Sequence, residues 1–315
     1  MTDKHLGGHG ALLVAYIIFG LNVPIMKSVL TDGNITPTDM AFFRLAGAML
    51  LFWLASIFMP KERVSRGDMF QLFLASVCGI FLCQFLFSIG LARTSPIDAA
   101  VINSIGPVMT MILAAFFLKE PITWKKALGV LIGISGALLL IFSNKTPDNG
   151  NPSLVGNLII LASTLSFVIY LTAFKPLISR YMPVTVMKWM FLYATLCILP
   201  FSWHDISTLP YSAVATDVWL RALYVVLMAT FISYFLLPIG QKYLRPTIVS
   251  MYNYVQPIVS SLVAVAVGMD ILSWQKGVAA LLVFSGVYIV TQSKSRAQIA
   301  AEKERNKAAK PETSD

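Results

Sequence analysis

Charge is scarce in this chain, and cysteine and histidine scarcer still. Asp, Glu, Lys and Arg make up 12% of the residues and apolar types 57%. A soluble domain holds about 25% and about 45–50%, so the composition excludes a water-soluble core. The three cysteines, Cys78, Cys83 and Cys197, all fall inside apolar runs, which leaves no disulfide framework and no metal-ligand spacing. The three histidines, His5, His9 and His204, stand in a tail or at a helix end. No Ser/His/Asp set, HExxH or phosphate loop accompanies them, so neither an enzyme nor a cofactor or metal is expected. Carboxylates are missing from the middle of every apolar run; Asp98, for instance, reads as a capping box with Ser95 ahead of Pro96. That absence argues against a multidrug antiporter built on one membrane glutamate and leaves the energy source open.

What the chain has is apolar length. About 20 apolar residues are needed to cross about 30 Å of hydrocarbon, and ten such runs can be marked, at about 11–30, 37–59, 68–91, 95–118, 124–143, 153–174, 183–203, 217–240, 245–268 and 274–293. The first run is too long for the core of a cleaved leader, and Tyr16, Asn22, Pro24 and Lys27 stand where small residues would be required. The expected fold is an all-α integral membrane bundle of ten transmembrane helices.

Residues 90–143 recur without a gap at 240–293. A shift of 150 carries Gly90 to Gly240, Pro96 to Pro246, Asn103 to Asn253, Pro107 to Pro257, Trp124 to Trp274 and Gly136 to Gly286. Five spans per copy is an odd number, so the second copy enters the bilayer upside down relative to the first. The organisation is then a tail at 1–10, a first repeat at 11–143, a linker at 144–152, a second repeat at 153–293 and a basic tail at 294–315.

The net charge of +9 would suggest a nucleic-acid partner in a soluble protein; here its distribution says otherwise. Seventeen Lys and Arg fall in alternate connections and tails, among them Lys61, Arg63, Arg66, Lys119, Lys125, Lys126, Lys175, Arg180, Lys242, Arg245 and six after 293. The opposite connections hold Arg93, Lys145 and Lys276, with Lys27 and Arg221 at helix ends. By the positive-inside rule both termini are cytoplasmic and the 144–152 linker is outside. The partners implied are the lipid bilayer and a small solute, with no nucleic acid. The expected location is a bacterial cytoplasmic (inner) membrane.

The stretch Glu120-Pro121-Ile122-Thr123-Trp124 leading into Gly129, Gly133 and Gly136, with its copy Asp270-Ile271-Leu272-Ser273-Trp274 leading to Gly286, resembles the closing helix of EamA-type repeats in the drug/metabolite transporter superfamily. Arg44 after Phe42 and Phe43, and Lys27 after Pro24, are similar to that family too. The copies depart at Ile271 and Ala279, which answer Pro121 and Gly129, and the seventh helix has no arginine matching Arg44. The resemblance implies a transporter, in a family that includes exporters of amino acids and other small metabolites.

Inverted halves present equivalent surfaces to the two sides, and exchanging their conformations opens a central site alternately inward and outward. A proline inside a helix frees the carbonyl four residues earlier, so Pro107 and Pro257 are candidate hinges beside Asn103 and Asn253. Polar stripes at helical spacing accompany them: Asn103, Gly106, Pro107 and Thr110, and Asn253, Gln256, Pro257 and Ser260. The alternative for each asparagine is a hydrogen bond that ties helices together. Gln84 and Tyr234, again 150 apart, are mid-helix polar groups. Arg44 lies about 10 Å inside the second helix at 1.5 Å per residue. A charge there is a functional candidate for meeting an anionic group, against the alternative of a salt bridge to Asp39 or to a helix end. Lys27 and Lys188 are expected to snorkel. Tyr16, Tyr170, Tyr252, Tyr254 and Trp189 are candidate faces for an ammonium group. The candidate solute site is thus Asn103, Asn253, Arg44, Gln84, Tyr234, Gln256, Tyr16 and Tyr170. The glycine face of the fifth helix admits close approach either within the bundle or between two copies, so monomer and homodimer both stay open. The reading is a carrier for an amino acid or similar polar metabolite, with a non-transporting scaffold or receptor as the rival.

Overall fold

A computed structural model of the chain describes residues 3–32, 35–94, 99, 102–143, 154–266 and 274–293. The 144–152 linker, the tail from 294, the Ser95/Asp98 cap and the 270–273 copy lie outside the described residues. Helices dominate, and no strand occurs among the described residues. The long ones are α1 (Asp3–Asp32), α2 (Pro37–Ile57), α3 (Arg66–Arg93), α4 (Gly106–Leu118), α5 (Trp124–Ser143), α6 (Leu154–Ala173), α7 (Pro183–Thr208), α8 (Thr216–Tyr243), α9 (246–266) and α10 (Trp274–Thr291), with single turns at Lys175–Ile178 and Tyr211–Ala213. Among the described residues six of these, α1, α2, α3, α6, α7 and α8, are long and apolar enough to cross a membrane. Residues 106–118 and 277–291 form shorter apolar helices.

The helix starts follow from local chemistry. The Thr36 hydroxyl accepts from Asp39 N at 3.1 Å while the Asp39 carboxylate accepts from Thr36 N at 3.0 Å, closing a capping box ahead of α2 with Pro37 in its first turn. Ser65 caps α3 through Asp68 N, and Pro183 and Pro246 open α7 and α9. At the far end of α4, Lys119 takes a left-handed conformation (φ 52°) that stops the helix before Pro121.

Two helices carry a defect at the same place. Residues Val77–Leu82 of α3 and Leu227–Ile232 of α8 wind as π-helical turns, and the shift of 150 that relates the repeats maps one onto the other. The duplicated register therefore reaches back to at least residue 77 in its backbone, although the side chains there have diverged. Serine hydroxyls occupy matched carbonyls in these turns by two routes. Ser166 of α6 donates to Cys78 O at 2.7 Å, and Ser233 donates within its own helix to Met228 O at 3.1 Å.

Packing runs chiefly between the halves: α2 on α7, α3 on α6, α1 on α8 and α5 on α10. The α5/α10 seam is the tightest. A Cβ added at Gly129 would come within 2.8 Å of Gly286 O, and one at Gly286 within 2.6 Å of Gly129 O. The glycine face of α5 is thus used inside the bundle. Large apolar side chains such as Leu50, Ile57, Phe58, Phe116, Leu131 and Leu281 face outward, an exterior that suits lipid rather than water.

Side-chain contacts gather the cationic connections at one end of the bundle. Arg180 and Tyr181 reach Asp68 at 3.1 and 2.6 Å, and Glu62 takes the Met182 N–H. Lys126 pairs with Glu120 at 2.5 Å, and Arg245 donates to Ser293 O at 2.7 Å. At the opposite end Lys27 donates to Leu91 O (2.9 Å) and Thr94 O (3.1 Å), so it closes the last turn of α3 rather than snorkelling to water. Lys188 rests over the rings of Trp53 and Trp189 at 5.4 and 5.9 Å.

The paired prolines do not bend unbroken helices. A turn at 104–105 precedes α4, and a 3-10 turn, Tyr252–Tyr254, interrupts α9. Pro107 and Pro257 each follow in the first turn of the segment that restarts, Gly106–Leu118 and Val255–Ala266. A missing N–H costs little there, because the first four donors of a helix have no intrahelical acceptor.

Candidate functional site

The turn ahead of α4 and the break in α9 border a central cavity of about 110 Å³, walled by α1, α2, α3, α6 and α8 as well. About 10–15 Å³ on this scale admits one water, so the chamber has room for a small organic solute. Asn103, Asn253, Arg44, Gln84, Tyr234, Gln256 and Tyr16 all line it. Tyr170 does not: it is wholly buried, its hydroxyl donates to Gln241 Oε1 at 3.1 Å, and its ring packs against Gly79 in the π turn of α3. Neither Pro107 nor Pro257 lines the cavity. The Ser260 side chain lies outside the described residues.

The two asparagines face different tasks. Asn103 Oδ1 accepts from Thr164 of α6 at 2.8 Å, while Asn253 Oδ1 accepts from Gln256 one turn on, at 3.2 Å. The Asn253 amide also approaches α4: a Cβ at Gly106 would lie 3.3 Å from its Nδ2. The asparagine of one half therefore closes onto the break of the other.

Arg44 is the charged residue of the wall, and it is only 4% exposed. Its Nε donates to Thr230 Oγ1 at 3.0 Å and its Nη1 meets Met26 Sδ at 3.5 Å. The π turn of α8 supplies that threonine, whose own hydroxyl proton goes to Val225 O at 2.8 Å. The salt bridge to Asp39 does not form. Asp39 is fully buried in its capping box, with Oδ2 engaged by Thr36. On the same cavity wall Gln84 has both amide atoms buried without a protein partner, as are Tyr16 OH and Asn22 Oδ1. Buried polar groups are ordinarily satisfied, and four of the buried atoms without a protein partner fall on this one cavity wall.

Towards the cationic end the cavity meets a tyrosine layer. Tyr16, Tyr170 and Tyr254 are at most 1% exposed. Tyr252 lies tilted against Tyr16 with ring centres 6.1 Å apart, and its hydroxyl lies 2.7 Å from His9 Nδ1. Among the described residues no cluster of His, Cys, Asp and Glu is placed to hold a metal.

Sequence reasoning missed Asn22, Ser163, Thr164 and Thr230. The Ser163-Thr164-Leu165-Ser166 run in an otherwise apolar helix was the available signal for α6. Thr230 had none, because it reaches Arg44 through a π turn with no residue signature.

The sequence profile of the EamA-like transporter family matches twice, over residues 6–142 and 154–292. Two Bacillus subtilis proteins, the uncharacterized transporters YetK and YyaM, are similar over nearly the whole length. YetK is 22% identical over 94% of this chain and 90% of its own, and YyaM 26% over 90% and 93%. A probable terminal-alkyne amino-acid exporter of Streptantibioticus cattleyicolor is 27% identical over 68% of this chain and 71% of its own. A protein of known crystal structure superposes with a TM-score of 0.71 over 92% of this chain and 97% of its own, at 18% identity, a likeness of fold.

Proposed function

The chain belongs to the EamA-like transporter family, and from that premise we propose an alternating-access carrier that exports amino acids or similar small polar metabolites across a bacterial cytoplasmic membrane. The two repeats lie inverted, both termini face the cytoplasm, and the cationic end of the bundle is the cytoplasmic one. The observation that carries the reading is the central cavity with a buried, uncompensated Arg44 and unpartnered Gln84, Tyr16 and Asn22 on its wall. A scaffold has no use for a buried cation on the wall of a cavity, since a buried charge without a counter-charge opposes folding. Asn103 and Asn253 sit at the breaks of α4 and α9, where segments restarting at Gly106 and Val255 pivot as gates. The tyrosine layer is the inner gate.

Counterflow tests the proposal. Proteoliposomes preloaded with a candidate solute should accumulate external radiolabelled solute transiently above equilibrium, and protein-free vesicles should not. Absence of counterflow across a broad panel of amino acids and metabolites would leave the scaffold reading.

A further inference from the structure

The cavity wall carries one formal charge. Arg44 is its cation, and none of the other lining residues is Asp, Glu, Lys or His. The guanidinium has five N–H donors, yet its bonds go to a hydroxyl and a thioether, both neutral and the second a weak acceptor. Among the described residues no carboxylate lies within ion-pair distance of it; Asp39 gives Oδ2 to Thr36 in its cap, and its Oδ1, buried without a partner, makes no ion pair with Arg44. A lone buried cation in a medium of low dielectric is strongly unfavourable until a counter-charge arrives.

Resting on the carrier reading above and narrowing its solute class, we propose that among amino acids and similar metabolites the preferred cargo is a carboxylate monoanion without a free ammonium group, for which an N-acylated amino acid is the model. Arg44 holds its carboxylate, with the Gln84 amide as a second donor. The count of charges selects this class. A monoanion neutralises the wall; a zwitterion delivers its carboxylate but buries an ammonium beside the guanidinium with no anion to face it. A cation adds repulsion outright. The remaining orphaned acceptors, Asn22 Oδ1 and Gln84 Oε1, suit a neutral donor such as an amide N–H or a hydroxyl. Phe19, Phe87 and Phe167 provide the apolar surface for the rest of the molecule.

Three ligands with one skeleton separate the possibilities: N-acetylphenylalanine (monoanion), phenylalanine (zwitterion) and phenylalanine amide (cation). Thermal stabilisation of the purified protein and counterflow in proteoliposomes are measured for each at neutral pH, with protein-free vesicles as the blank. The monoanion should bind and compete about tenfold or more better than the zwitterion, and the cation should do neither. In Arg44→Gln the preference of monoanion over zwitterion should fall to near unity, whereas Arg44→Lys should retain part of it. Equal or better binding of phenylalanine by the parental protein overturns the proposal and needs no variant to do so. So does a preference that survives in Arg44→Gln, or a panel of monocarboxylates none of which stabilises the protein. Counterflow of the zwitterion with no preference for the monoanion sinks the charge selectivity and leaves the carrier. Stabilisation by the monoanion without counterflow of any ligand sinks the carrier and leaves the site.

Discussion

Glu120 and Lys126 bring opposite charges out of water at the cationic end, with side chains 12% and 1% exposed. Such a pair adds little over an apolar replacement, but removing one partner strands the other, at a cost of about 3–5 kcal/mol. Glu120→Gln should therefore lower the melting temperature in detergent markedly, and Glu120→Gln with Lys126→Met should recover most of the loss. Equal melting of the single variant and the parent would show the pair to be solvated. Lys175, in the connection after α6, illustrates pH linkage at the same end. Burial pushes its ammonium down to about 8, with nearby Glu120 pulling the other way and losing, against about 10.4 in an unfolded chain. Between those values the unfolded chain holds a proton that the folded one has released, so this residue makes stability rise with pH from about 8 to about 10.4. Below 8 the cost of burying the charge is present in full. Lys175→Met should melt higher than the parent at pH 7, and the gap should close as pH approaches 10. A gap independent of pH would assign the effect to packing instead.

At the scale of whole helices, the α5/α10 seam and the two breaks make separate demands. Backbone meets backbone at Gly129 and Gly286, so Gly129→Val forces the helices apart, with overpacking of at least about 1–3 kcal/mol. Reduced yield of folded protein and a lower melting temperature should follow, while an unchanged melt would mean the seam has slack. If the segments restarting before Pro107 and Pro257 are the two gates, Pro107→Ala and Pro257→Ala should slow exchange and shift cysteine accessibility in opposite directions from the two sides. Parental exchange with unaltered accessibility in both would reduce the prolines to tolerated fixtures. The helices were largely legible beforehand because apolar length is a local property: the run marked from 37 begins where α2 does, and the one from Trp124 where α5 does. The breaks were legible only as prolines. Their position, at 104–105 and at Tyr252–Tyr254, depends on where i→i+3 bonding takes over, which a proline hints at without fixing.

For the molecule as a whole, charge alternation sorted the connections into two sets, and contacts such as Arg180 with Asp68 bring connections of the richer set to one end. Which side of a membrane that end faces is decided by experiment. With Cys78, Cys83 and Cys197 replaced, an impermeant thiol reagent should label Ser212→Cys in intact cells and spare Lys61→Cys. Labelling of both would remove the orientation and the inverted arrangement together. Much of the cavity was visible as rare polar residues in apolar runs, since hydrocarbon makes every such residue costly. Thr230 and the route by which Ser166 reaches Cys78 were not, because both depend on π turns. Those turns have a phase consequence. An α-helix advances about 100° per residue, and a π turn accommodates one residue more than its neighbours, so everything beyond Leu82 in α3 and beyond Ile232 in α8 is rotated by about that angle relative to an unbroken helix. Gln84 and Phe87 in one half, and Tyr234 in the other, look into the chamber because of that rotation. Deleting a single residue from 77–82 would leave the composition of α3 almost untouched and turn its contribution to the binding wall toward a neighbouring helix or the lipid.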